Sequence, residues 1–165
     1  MNRDKELSKE KNILEFLNKN SVLCKRLLNG KLKHLEASEY IYSADLAVDE
    51  LGLDSDLVHQ LVEDYVIQIV KSKTIFLDYL ERLKKSKLRD ERLDYTNFRE
   101  LAHKNLGVAR NLRIRDAEKF LKELMTKDDL DYLELCLEAL IVCAIKLKPK
   151  CAYEAIKLIE VKNSI

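Results

Sequence analysis

His103 is the residue whose sequence surroundings ask for a chemical explanation. It lies in a segment opened by Asp94, which can cap a helix whose inward face is Phe98, Leu101, Ala102, Asn105, Ala109 and Leu112. On a helical wheel with Phe98 as zero, those side chains fall within about 60° of it, whereas His103 falls at about 140°, toward solvent. Gly107 lies one turn further along at about 180°, Arg99 and Arg110 at about 100° and about 120°, and Leu106 at about 80°. An imidazole that carries a phosphoryl group on a ring nitrogen needs exposure, clearance for the incoming donor and cations that favour the added charge. Glycine inside a helix costs about 1 kcal/mol relative to alanine, and clearance beside His103 would account for Gly107. The plainer reading of the same residues is an exposed polar side chain and a close helix contact.

The elements that must position this histidine are helices. The 165 residues include only three Gly and one Pro and are 47% hydrophobic and 36% charged, which excludes collagen-like, low-complexity and linker-like chains and is too poor in turn residues for an all-β sandwich. Gly30 and Gly52 mark helix ends, and Leu7 to Leu28 suits one or two short helices broken near Asn18 to Ser21. A short helix is expected from Tyr40 to Leu51, after which Asp54 or Ser55 caps the longest one. Its core stripe includes Leu57, Val62, Tyr65, Ile69, Phe76, Leu77, Leu80 and Leu83. A charged loop, Lys84 to Arg92, precedes the His103 helix. Helices from Arg115 to Met125 and Asp129 to Leu147 follow, Pro149 ends the second, and a short terminal helix begins near Cys151. Such short connections force antiparallel neighbours. The expected fold is an all-α, up-down-up-down four-helix bundle with additional short N-terminal and C-terminal helices. Residues 1–39 form a helical extension and residues 40–165 the bundle with its C-terminal helix.

Charge and motifs narrow the function classes. Lys plus Arg is 30 and Asp plus Glu is 29, so a net charge of 30 − 29 = +1 offers no field for a polyanion, and no nucleic-acid partner is expected. Residues 1–36 carry nine basic and five acidic side chains, 9 − 5 = +4, which reads as a solvated amphipathic stretch or as a docking or dimerising helix. No run approaches the roughly 18 apolar residues of a membrane span, and MNRDKELSKEKN has no apolar core for a secretory signal, so the expected compartment is the cytoplasm. Cys24, Cys136, Cys143 and Cys151 show no CxxC spacing and read as small buried hydrophobes, with no metal site expected. His34 and His59 have no companion residues at ligand or catalytic spacing. No GxxxxGK[ST] or GxGxxG is present for a nucleotide.

Residues Arg99 to Ile114 read RELAHKNLGVARNLRI. This resembles the phosphoacceptor helix of histidine-containing phosphotransfer (HPt) domains of bacterial two-component phosphorelays. The family pattern is Ala-His, two residues, Lys, Gly, then Ala and Asn-Leu a turn or two later. Ala102, His103, Gly107, Ala109, Asn111 and Leu112 match it residue by residue. The segment ADLAVDELGLDSDLVHQLVEDYVIQIV is similar to the family's entry into its bundle, so the resemblance covers about Tyr40 to Leu147. It implies that His103 accepts a phosphoryl group from a receiver-domain aspartate and passes it to another receiver, as a phosphocarrier and not a kinase. The implied partners are response-regulator receiver domains, with a hybrid histidine kinase as a further candidate. No cofactor is implied for the chain itself, the Mg2+ belonging to the receiver.

The chain departs from the pattern at two adjacent positions. Leu106 stands where the family has Lys, and Asn105 replaces the preceding apolar residue. Arg99, Arg110 and Lys104 are the candidate stabilisers of the phosphoryl group, and the wheel favours the arginines because Lys104 lies about 100° from His103. Leu106 and outward residues of the Tyr40 to Leu51 helix are the candidates for an apolar docking patch. The alternative is an HPt-like interaction module that binds a receiver or other signalling partner without accepting phosphate. A dimeric scaffold built through the N-terminal helices is the third reading.

Overall fold

Local capping chemistry sets the helix ends that frame His103. In the computed structural model, which describes residues 2–163, α1 spans Asn2–Asn29, a 3-10 turn covers Lys33–Leu35, and α2 spans Ala44–Leu51. Gly52 closes α2 at φ 66°, a left-handed conformation that glycine adopts without a Cβ penalty, and its N–H bonds the Val48 carbonyl. The Asp54 carboxylate then accepts from Asp56 N at 3.2 Å and starts α3, Ser55–Leu88. Asp94 accepts from Thr96 N at 3.0 Å as α4, Thr96–Asn111, begins. Helix α5 spans Arg115–Thr126; Asp129 caps α6, Leu130–Leu147, by accepting from Tyr132 N at 3.1 Å. Pro149 opens α7, Pro149–Asn163, at a position where its missing N–H has no helical acceptor to lose.

The apolar stripes then dictate the packing. Helix α3 lies against α4 and α6, α4 against α5, and α5 against α6, so the four helices close a ring. Tyr65, Phe76, Phe98, Phe120, Leu121 and Leu133 are fully buried inside it. Phe76 and Phe98 meet edge to face with centroids 5.3 Å apart at 71°, joining α3 to α4. Helix α1 packs on α6 and α7, α7 on α3 and α6, and α2 on α3. Cys24, Leu27, Leu28 and Leu32 belong to the same contiguous core as the ring. Each large apolar side chain buried this fully contributes on the order of 1.5–3 kcal/mol.

Several expected boundaries move. Helix α1 runs unbroken through Asn18 to Ser21, because Asn20 is buried and its Nδ2 donates to Val142 O on α6 at 3.0 Å. The stretch expected as a charged loop from Lys84 is largely the last turn of α3, with Leu83 buried and Lys84 paired to Glu134 at 2.7 Å. Helix α2 starts at Ala44 and not at Tyr40. Tyr40 and Tyr42 instead extend across the end of α4, their hydroxyls donating to Arg113 O at 3.1 Å and Leu112 O at 2.8 Å. Leu57 and Leu77, expected in the core stripe, are exposed.

Candidate functional site

Helix α4 carries the candidate site, and its orientation is fixed from behind. Phe98, Ala102, Asn105, Ala109 and Leu112 are all buried, as the helical wheel requires, while His103 faces solvent. The other two histidines are tied to the fold. His34 Nε2 donates to Tyr132 Oη at 2.9 Å, Tyr132 in turn donates to Glu123 Oε1 at 2.6 Å, and Lys148 Nζ donates to His59 Nδ1 at 3.1 Å. His103 forms no hydrogen bond or ion pair with any described residue. One turn along, a Cβ placed on Gly107 would find no heavy atom within 4 Å, so the space above the imidazole is open. Both features suit an imidazole approached from outside by a bulky group.

The electrostatic surroundings differ from the expectation. Arg99 does not turn to His103. Its Nη2 donates to Asp128 Oδ1 at 2.9 Å, and its guanidinium lies 4.5 Å from the centroid of the Tyr95 ring, a cation–π pairing that holds it against the α5–α6 connection. Arg110 is half exposed and leans toward Glu118 on α5 at 3.9 Å, a separation that leaves it free to move. Lys104 is exposed. None of the three cations is bonded to the imidazole.

Leu106 requires a correction. At 4% exposure it belongs to the core and contributes nothing to a docking patch. Helix α4 is gripped on two sides, by α3 and by α5, so its buried arc is wider than the stripe of one amphipathic face and reaches the wheel position at about 80°. Behind His103 the unusual residue is Asn105. Its Nδ2 donates to Leu101 O at 3.0 Å and reaches Ser72 Oγ on α3 at 3.5 Å, while its Oδ1 is buried without a partner among the described residues.

Apolar surface is nevertheless present on the exposed side. Val108 is exposed next to Gly107, and Ile41 and Leu46 are exposed on and just before α2. The anchoring of Tyr40, Tyr42 and Glu50 to Leu112 and Arg113 sets that segment at the C-terminal end of α4, with Glu50 ion-paired to Arg113. The distance from His103 to Leu112 along the helix axis is about 14 Å at 1.5 Å per residue. No group of three or more His, Cys, Asp or Glu residues among those described is placed to hold a metal ion. No helix among the described residues is long and apolar enough to cross a membrane.

Sequence reasoning missed one cluster. Cys24 of α1 and Cys143 of α6 are both buried where those helices pack, and each alters the other's thiol titration. Their separation in sequence carries no spacing signal, and only the tertiary fold brings them together. No family model matches the chain, and comparisons with curated proteins and with solved structures return no match.

Proposed function

We propose that the protein is a histidine phosphotransfer protein, with α3 to α6 forming the up-down-up-down four-helix bundle of an HPt domain. The observation that carries this reading is the unbonded, solvent-facing His103 with open space above Gly107, on a helix that buries the matching Ala102, Ala109 and Leu112 and leaves the matching Asn111 exposed. His103 Nε2 attacks the phosphorus of an aspartyl phosphate on a receiver domain; the acyl phosphate P–O bond breaks and the aspartate carboxylate leaves. A second receiver's aspartate then takes the phosphoryl group by the reverse attack. The bundle presents the imidazole on its surface, and Mg2+ on the receiver would balance the phosphoryl charge. Arg110 is the best-placed cation to take over from the missing lysine, because the one ion pair of its side chain among the described residues is long, at 3.9 Å to Glu118. Val108, Ile41 and Leu46 supply the apolar surface for a receiver.

A second reading, an HPt-like module that binds a receiver without accepting phosphate, is favoured by one feature: Leu106 is buried where a lysine would project, and Arg99 is committed to Asp128. The experiment that separates them mixes the protein, or its His103→Gln variant, with Mg2+ and receivers phosphorylated by acetyl phosphate. Acid-labile, base-stable phosphate on the wild type alone supports the phosphocarrier. Receiver binding by both forms with no transferred phosphate overturns it in favour of the binding module.

A further inference from the structure

Helices α1 and α3 both pack on α6 and both meet α7, but they do not pack as a pair of their own. The gap between them is a groove of about 530 Å³, lined by residues of all four helices and by none of α4. Exposure gives its depth. Val70, Ile141 and Ile145 are buried and make the floor, Phe16 and Ile156 are half-buried and make the walls, and Leu77 is exposed at the mouth. The buried polar residue of the lining, Asn20, already spends its amide donor on Val142 O at 3.0 Å. The volume falls in the range of about 300–1,000 Å³ usual for small-molecule sites, which are likewise mostly apolar with a few polar groups that orient the ligand.

The charges at the mouth decide what kind of molecule fits. Lys19 of α1 and Lys73 of α3 are exposed on the groove's two flanking helices, and neither forms a hydrogen bond or ion pair with another described residue. The carboxylate of the lining, Glu160, is paired with Lys157 on its own helix at 3.2 Å. The chain as a whole carries a net charge of only +1, so two unneutralised ammonium groups at one apolar groove are a local feature. Their complement is a molecule that is hydrocarbon along its length and anionic at one end. We propose that the groove binds a free long-chain fatty acid, its tail on Val70, Ile141 and Ile145 and its carboxylate at Lys19 and Lys73. The tail supplies most of the affinity, and the exposed lysines fix which end faces water. The site shares no residue with the His103 helix, so it does not depend on the phosphotransfer reading.

The test is equilibrium dialysis of the full chain against submicellar sodium octanoate, decanoate and dodecanoate at about pH 8, where the ligands are anionic and the lysines charged. One molecule per chain is expected, with affinity rising about fourfold per methylene, so decanoate binds roughly fifteenfold more tightly than octanoate. Lys19→Gln/Lys73→Gln, two exposed changes that leave the core intact, weakens decanoate roughly fivefold and leaves decanol unchanged. Should that variant fail to fold, sodium chloride gives the same reading on the wild type, weakening decanoate and sparing decanol. No binding, an affinity that ignores chain length, or a charge change that affects decanoate and decanol alike overturns the proposal. Uptake of many molecules per chain with loss of helical circular dichroism is detergent action and overturns it too. A dimer in sedimentation velocity that Leu77→Glu dissociates gives the groove to a second copy of the chain and has the same force.

Discussion

Gly107→Ala separates what the fold needs from what an approaching partner needs. Gly107 lies inside α4, and its backbone is not in the left-handed region. A Cβ there meets no heavy atom within 4 Å, so alanine introduces no clash and no strain. What remains is the helix propensity of alanine over glycine, a gain of about 0.5–1 kcal/mol, or a rise in melting temperature of roughly 1–4 °C for a chain of this size. The methyl group nevertheless stands one turn from His103, on the side that faces solvent. A displacement of the phosphoryl donor by about 1 Å slows transfer on the order of a hundredfold. Urea unfolding followed by circular dichroism reads the first effect, and the rate of phosphate transfer from a phosphorylated receiver reads the second. The expected result is a more stable protein that transfers poorly. Loss of stability would show that glycine serves the fold, and a stabilised variant with an unchanged rate would show that clearance above His103 is irrelevant.

Three further substitutions probe the packing that holds the site. Phe98→Ala removes one ring of the buried Phe76–Phe98 pair and lowers unfolding free energy by about 3–5 kcal/mol, read from the urea midpoint; a loss below about 1 kcal/mol refutes its central place in the core. Asn105→Leu removes a buried oxygen without a partner among the described residues and raises stability by about 1 kcal/mol; a loss instead shows that the bonds to Leu101 and Ser72 outweigh that oxygen. Burial holds the Asp116 carboxyl above its ordinary range, only partly offset by the Ala117 N–H and the Cys143 thiol. With the folded pKa raised, the stability contributed by the protonated form is full below about pH 3.8 and is lost as pH rises through the folded value. Asp116→Asn is therefore more stable than the wild type at pH 7, with the difference shrinking toward pH 3.8 in urea midpoints; a gap that does not change with pH sinks the argument.

Features set by local chemistry were legible before the fold was known. Gly52 as a left-handed cap and the aspartates at 54 and 94 act within a few residues of themselves, and each does what its sequence position implies. The all-helical class follows from the same local signals. Elements sustained by tertiary contact were misjudged: Asn18 to Ser21 looked like a break because polar residues favour turns, yet Asn20 is satisfied by a carbonyl on α6. Lys84 to Leu88 looked like a loop because it is charged, yet those charges project from the end of a helix whose Leu83 is anchored in the core. At the candidate site, the outward position of His103 and the inward position of Asn105 were legible from the wheel. The burial of Leu106 and the pairing of Arg99 with Asp128 depend on which helices flank α4, which a wheel does not encode.

The lack of any hydrogen bond to the His103 imidazole among the described residues has an entropic consequence. A side chain without a partner keeps its rotamers, and a neutral imidazole without a partner keeps both tautomers. His34 and His59 have given up that freedom to the fold. His103 is thus presented but not aimed. Which ring nitrogen faces a reacting group, and in which direction, is decided only on contact, so the ordering of this side chain belongs to the free energy of association and not to that of folding.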